Sequence, residues 1–243
     1  MIEGWRQLGR PRADGILLIA DHASAHVPDD IDLGIDPALL ANHIAIDIGV
    51  AEVAALLVED GVVDAAILGG VSRLVVDCNR EPDAPGAVPI ASDGHAIPGN
   101  ALDHAGREAR LARFFHPYHA RIAAVVASAR PAMILSLHSF TPSLASDPEQ
   151  QRPWEVGVLY NEDTRLVPAA IAALTAAGLT VGDQLPYSGK LLNATMNRHA
   201  EANDIPYVGI EMRQDLVADA AGQRRFAAHL AKMCKDAALK LAA

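Results

Sequence analysis

The chain has 243 residues, 51% of them hydrophobic and 21% charged, a length and composition that build one α/β domain with a sizeable core more readily than two small ones. Its formal net charge of -10 argues against non-specific binding to nucleic acid or to an acidic membrane surface, although a local arginine cluster can still hold a small anion. The start Met1-Ile-Glu-Gly-Trp-Arg6 lacks a basic stretch followed by an apolar core, and no run approaches the ~20 apolar residues of a membrane span. Cys78 and Cys234 stand in no metal or redox spacing, so a cytoplasmic protein with free thiols is expected.

The first element is a buried strand, Ile16–Ala20, stopped by Asp21-His22. A short helix over 37–42 follows Asp36, an N-cap residue with Pro37 in the first turn. Residues 50–58 predict a helix broken by Gly61, and 62–68 and 73–78 predict two strands joined at Gly69-Gly70. The Pro/Gly-rich stretch 81–103 predicts a long irregular loop of the kind that covers a site. A helix over 103–129 is expected to be capped or kinked at Pro117. A buried strand over 132–137 ends at His138, a polar loop spans 143–153, and 156–160 is a strand. Then come a helix over 166–177 ended by Gly178, a strand over 179–182, a helix over 190–202, a strand over 207–212 and an amphipathic helix over 220–241. Strands alternate with helices throughout residues 1–243 without linker or repeat. That is one α/β domain, with helices on both faces of a mixed sheet.

Four apolar runs end in polar residues that a core would reject: Asp21-His22, Asp77-Cys-Asn79-Arg80, His138-Ser139 and Glu211-Met-Arg213. If the strands are mostly parallel, these tips meet at the carboxyl edge of the sheet, where open α/β sheets bind ligands. A metal accounts economically for His22 and His138, because catalytic zinc takes three His or carboxylate ligands and leaves a place for water. Asp47 is the preferred third ligand and His26 its rival. Zinc so held lowers the pKa of bound water to roughly 7. Glu211, at the end of an apolar strand, is the general-base candidate, since desolvation lifts a carboxylate toward working pH; pairing with Arg213 is its structural alternative. Arg73, Asn79 and Arg80 flank one run and suit a carboxylate, which guanidinium forks grip in bidentate fashion. Arg80 can instead pair with Asp77 or Glu81. Arg213 and Ser139, at the same tips, complete the substrate-binding candidates. His116 and His119 lie three apart and read chiefly as packing residues, and His95 and His104 as solvent-facing. Tyr187-Ser-Gly189 marks a helix start. No nucleophile-elbow or phosphate-loop pattern occurs.

The elements His22-Ala-Ser24, Ser72-Arg-Leu-Val-Val-Asp-Cys-Asn-Arg80, Ser136-Leu-His-Ser-Phe140 and Gly209-Ile-Glu-Met-Arg-Gln-Asp215, with His43–Gly49 and Phe115–His119, resemble the N-formylglutamate amidohydrolase family over about residues 14–240. That family is similar in fold to zinc carboxypeptidases and aspartoacylases. The resemblance implies a three-layer, phosphorylase/hydrolase-like α/β/α fold with a mostly parallel sheet, and a cytoplasmic zinc amidohydrolase of histidine degradation. It implies His22 and His138 as ligands, Asn79-Arg80 as carboxylate clamp, Arg73 as polarising arginine and Glu211 as base. The carboxypeptidase-type Glu after the first His is absent, since Ala25 stands there, so Asp47 is inferred rather than matched. The expected partner is a small N-acyl amino acid such as N-formyl-L-glutamate. A non-catalytic sensor of an acidic metabolite and a carboxypeptidase-like peptidase are the alternatives.

Overall fold

A computed structural model describes residues 4–241; the remainder of the expected 1–243 domain, residues 1–3 and 242–243, lies outside the described residues. In chain order the strands are β1 (Trp5–Gly9), β2 (Ile16–Ala20), β3 (Ala65–Gly69), β4 (Ala91–Ser92), β5 (His95–Ala96), β6 (Met133–Phe140), β7 (Val156–Leu159), β8 (Val181–Asp183) and β9 (Tyr207–Arg213). The α-helices are α1 (Val50–Glu59), α2 (His104–Arg110), α3 (His116–Ala129), α4 (Val167–Ala176), α5 (Ala194–His199) and α6 (Ala220–Leu241). Seven strands form one sheet in the order β1-β3-β2-β6-β9-β7-β8, while β4 and β5 make a separate hairpin. The run β3-β2-β6-β9 is parallel, β7 pairs parallel with β8, and β1–β3 and β7–β9 are antiparallel.

The apolar runs fill both faces of this sheet. Leu18, Leu135, Val208 and Ile210 pack with Val53, Leu174 and Phe226 of α1, α4 and α6, whereas Leu17, Ile19, Ile134 and Tyr207 pack with Tyr118, Ile122 and Val126 of α3. Burial on both sides removes the alternation of a half-exposed strand, and the result is the expected three-layer α/β/α architecture. Gly61 and Gly178, with φ of 67° and 86°, stand just past α1 and α4 in the left-handed conformation that ends a helix without a Cβ penalty.

Three expectations need correction, and one strand was not anticipated. Residues 73–78 are not a strand but a folded turn: Val75 N–H donates to Ser72 O at 2.8 Å, and Ser72 Oγ bonds Ala45 O at 2.8 Å. Their apolar side chains are buried all the same, Leu74 with Leu33, Ile44 and Ile97 in a third small core, and Val75 and Val76 under α3. The 103–129 helix is two helices joined by a π turn, Leu111–Phe115; Pro117 has no N–H for the preceding turn, and the widened turn lies just before it. The 190–202 helix is only Ala194–His199, because Tyr187–Gly189 is a loop and opens no helix. The edge strand β1, too weakly patterned to be read, extends the sheet antiparallel to β3.

Candidate metal centre and active site

The parallel run β2-β6-β9 puts three strand tips next to one another, and β6 runs on beyond the expected end so that His138 lies within it, in register with Glu211 of β9. His22 follows the end of β2. Asp47 arrives from the loop before α1, anchored by its N–H to His22 O at 3.0 Å. The loop turns into the helix at Gly49 (φ 79°), where any Cβ would strike Val217 O. One donor atom each from His22, Asp47 and His138 lies within 4.8 Å of the others, all three residues being buried. The donors that face each other are the two Nδ1 atoms and Asp47 Oδ2, at 3.3 Å from His22 and 2.9 Å from His138. His26 is not part of this group.

The far nitrogen of each ring meets a second carboxylate. His22 Nε2 is 2.8 Å from Asp77 Oδ1, and His138 Nε2 is 3.4 Å from Asp21 Oδ2. Asp21 is itself fixed by hydroxyl donors, Thr195 Oγ1 at 2.8 Å and Tyr118 OH at 2.9 Å. The His22–Asp77 hydrogen bond is the arrangement that orients an imidazole ligand of a metal, whereas His138 and Asp21 stand at ion-pair distance without hydrogen-bond geometry. Burial raises the Asp47 and Asp77 carboxyls, but His22 and Arg73 outweigh it and hold both well below the usual carboxylate range. Burial lowers the two imidazoles, and the facing carboxylates outweigh it and raise them, Asp77 and Asp47 for His22, Asp21 and Asp47 for His138. The Asp47 carboxylate thus stands where the two Nδ1 atoms converge, with Asp77 and Asp21 behind the rings. The donor set fits a divalent cation, which displaces imidazole protons when it binds.

Arg73 donates to Asp47 Oδ1 at 3.1 Å and to Asp77 Oδ2 at 3.0 Å, using two of the five N–H donors of its guanidinium. Glu211 is buried, its Oε2 has no hydrogen-bond partner, and burial pushes its carboxyl up to about 7. His22, Asp47, Arg73, His138 and Glu211 share the walls of one cavity of about 130 Å³ with Asn79, Arg80 and Ser139. Ser139 Oγ is committed to Ile48 O at 2.8 Å, and Asn79 Oδ1 accepts from Thr195 N at 3.1 Å. Arg213 is not brought to this cavity: Asp215, two residues on, holds its guanidinium at 2.8 and 3.2 Å, so its charge is satisfied at the strand end.

Sequence reasoning passed over Asp21 and Asp77 as partners of the rings, although both stand beside residues it singled out. It gave Tyr187 only as part of a helix start and His43 only as part of a segment that carries the family resemblance, and it passed over Thr141; all three line the cavity. His116 is exposed, whereas His119 is buried, with Nε2 at 3.0 Å from Cys78 O and Nδ1 at 2.9 Å from His199 Nε2. His95 and His104 are exposed.

The family model of N-formylglutamate amidohydrolase matches residues 15–218. The chain belongs to this family. A gene product of Agrobacterium tumefaciens, known from its crystal structure, superposes with a TM-score of 0.89 at 33% identity, over 97% of this chain and 94% of its own. The N-formylglutamate amidohydrolase of Ralstonia eutropha JMP134 shares the fold, with a TM-score of 0.72 at 19% identity over 96% of this chain and 98% of that one. No curated protein sequence matches the chain. As a member of the N-formylglutamate amidohydrolase family the protein is an amidohydrolase, an enzyme that hydrolyses amides of small molecules. Among the described residues no helix is long and apolar enough to cross a membrane.

Proposed function

We propose that the protein is a metal-dependent hydrolase of N-acyl amino acids, with N-formyl-L-glutamate as the substrate to be expected and formate and L-glutamate as products. The observation that carries this reading is the convergence of His22 Nδ1, Asp47 Oδ2 and His138 Nδ1 in one wall of the cavity that Glu211 and Arg73 also line. A divalent ion held by these three residues, zinc by the character of the donors, supplies an activated water and charge for the developing oxyanion. Glu211 takes a proton from the attacking water as the C–O bond forms, then passes it to the nitrogen as the C–N bond breaks. A carboxyl near neutrality suits both halves of that transfer, and its unpartnered Oε2 leaves an oxygen free for the work. Arg73 offers its remaining N–H donors to the carbonyl oxygen. Asn79 and Arg80 hold the α-carboxylate, Arg80 having only a 3.7 Å approach to Asp77 to neutralise it.

The test is a panel of N-acyl amino acids with amine release as readout, run on protein of measured metal content. Turnover of N-formyl-L-glutamate that disappears with a chelator and returns with zinc supports the reading. Less than half an equivalent of metal, with no activity gained on adding zinc, would overturn it.

A further inference from the structure

Arg152 lies in the loop between β6 and β7 and is 94% buried, its relative exposure being 6%. No carboxylate among the described residues comes within ion-pairing distance of it. Its contacts are neutral acceptors: Nε donates to Gln150 Oε1 at 2.8 Å, and one terminal nitrogen donates to Thr141 O at 3.2 Å and to Tyr187 OH at 3.0 Å. The second terminal nitrogen has no partner among the described residues. The guanidinium also stacks over the Tyr187 ring at 5.1 Å. A buried cation without a counter-charge is costly unless a ligand supplies one.

The surroundings say where that ligand sits. Both Thr141 and Tyr187 line the metal-site cavity, and Tyr187 also lines an adjoining cavity of about 290 Å³ that shares His43, Arg73 and Arg80 with the first. Because Arg152 donates to the Tyr187 oxygen, the phenolic hydrogen is left free to donate elsewhere, and no acceptor for it occurs among the described residues. Arg110 shows the contrast. It too is buried without a carboxylate, but its partners Val75 O and Asn100 Oδ1 belong to neither cavity wall, and it reads as a structural staple. In the cleft, Arg73 is matched by Asp47 and Asp77. The positive charge left over belongs to Arg80 on the cavity wall and to Arg152 behind it, which lines neither cavity itself and reaches them through Thr141 and Tyr187.

The geometry points to Arg152, acting with the Tyr187 hydroxyl that it positions, as the specificity determinant that reads a second negative charge on the substrate, the side-chain carboxylate of an acidic N-acyl amino acid. The inference rests on the proposed N-acyl amino acid hydrolysis for the place of the substrate, and it adds the group that selects an acidic side chain.

The test compares N-formyl-L-glutamate with the near-isosteric N-formyl-L-glutamine in the wild type, Arg152→Met, Arg152→Lys and Tyr187→Phe. The wild type prefers the acid, and Arg152→Met lowers the acid-to-amide ratio of kcat/KM by about 30- to 100-fold, the scale of a lost charge-assisted hydrogen bond. Arg152→Lys recovers part of the ratio, and Tyr187→Phe loses part of it. A purely structural Arg152 lowers both substrates in proportion and leaves the ratio unchanged, which overturns the proposal. Calorimetry with L-glutamate and L-glutamine on the metal-loaded protein separates this inference from the reaction assigned above. Tighter binding of glutamate that vanishes in Arg152→Met supports the anion site even if no N-acyl amino acid is hydrolysed. Equal binding of both amino acids by the wild type overturns it even if N-formyl-L-glutamate is turned over.

Discussion

His138 and Glu211 are register partners on the neighbouring parallel strands β6 and β9, so the ligand candidate and the base candidate stand side by side on one face of the sheet. Glutamine at 211 keeps the shape and removes the proton carrier. Glu211→Gln is expected to lower kcat by ~10²–10⁴-fold, the usual share of general acid–base catalysis, with metal content and melting temperature unchanged. Turnover within about tenfold of wild type would reject Glu211 as the base. The pH profile carries its own sign. The base works ionised, so activity rises as pH climbs through the Glu211 pKa and levels above it. Burial places that pKa at about 7, and a bound dication favours the charged form and draws it lower. The acidic limb of kcat/KM therefore lies at or below about 7 and is absent from the Glu211→Gln variant.

The carboxylates behind the rings make a separate prediction. Asp77 accepts from His22 Nε2 at 2.8 Å, which fixes the tautomer that presents Nδ1 to the metal. Asp77→Asn keeps all three ligand residues but weakens that orientation, and metal affinity is expected to fall ~10–100-fold in a chelator competition. Asp47→Ala removes a ligand itself and is expected to lose metal altogether at the same chelator concentration. Equal affinities for wild type and Asp77→Asn would show that the Asp77 contact serves only the turn, where its Oδ1 also accepts from Asn79 N at 3.0 Å.

Much of this arrangement was legible in the sequence because buried parallel strands leave a plain mark. Ile16–Ala20 is apolar on both faces and Met133–Leu137 is so but for Ser136, and the polar residue that ends each run has nowhere to go but the sheet edge. The run 73–78 looks the same and misleads, because a loop buried under α3 and against a small third core is as apolar as a strand. Arg213 misleads for a shorter-range reason: a carboxylate two residues away claims it, and proximity to Glu211 in sequence says nothing about which way a strand-end side chain turns. Asp21 and Asp77 were visible as residues but not as partners of the rings, since that role exists only once strands far apart in sequence are neighbours. Arg152 stands in a loop with no periodicity, and only burial without a counter-charge distinguishes it.

The buried pair His119 and His199 predicts a pH-dependent stability. Cys78 O accepts from His119 Nε2, so His119 Nδ1 is the acceptor and His199 Nε2–H the donor, with both rings neutral. Burial holds both imidazoles down to about 4. Between that value and the ordinary 6.5 the unfolded chain binds more protons than the folded one. The contribution is therefore complete above about 6.5 and drains away as pH falls toward about 4, on the order of 3 kcal/mol for each ring. Urea unfolding between pH 7 and 4.5 should show a steeper loss for wild type than for the His119→Leu/His199→Leu double variant, the difference between the two isolating the pair from the carboxylates. Parallel profiles would mean that the rings already hold a proton in the folded protein.

The last prediction concerns the two loops that border the cavities. Asp93, at the tip of the β4–β5 hairpin, has φ of 41°, a left-handed conformation that Asp tolerates better than most residues. Its Oδ1 accepts from Ser146 N at 2.8 Å and from the Ser146 hydroxyl at 2.6 Å. Its Oδ2 accepts from Ala145 N at 2.9 Å and meets His43 Nε2 at 3.0 Å. One carboxylate therefore ties the 81–103 loop to the 143–153 loop and to His43, and these contacts outweigh partial burial to hold it at about 2. Asp93→Ala removes every one of those bonds without touching His22, Asp47, His138 or Glu211. The 143–153 loop, which carries Arg152, loses its anchor. The expected result is a KM raised ~10-fold or more with kcat reduced less, since a loosened wall weakens ground-state and transition-state binding alike. Metal content should stay at the wild-type level, and limited proteolysis should cut first within 143–153. If kcat falls while KM and the cleavage pattern stay the same, the hairpin contact does not govern how the substrate is held.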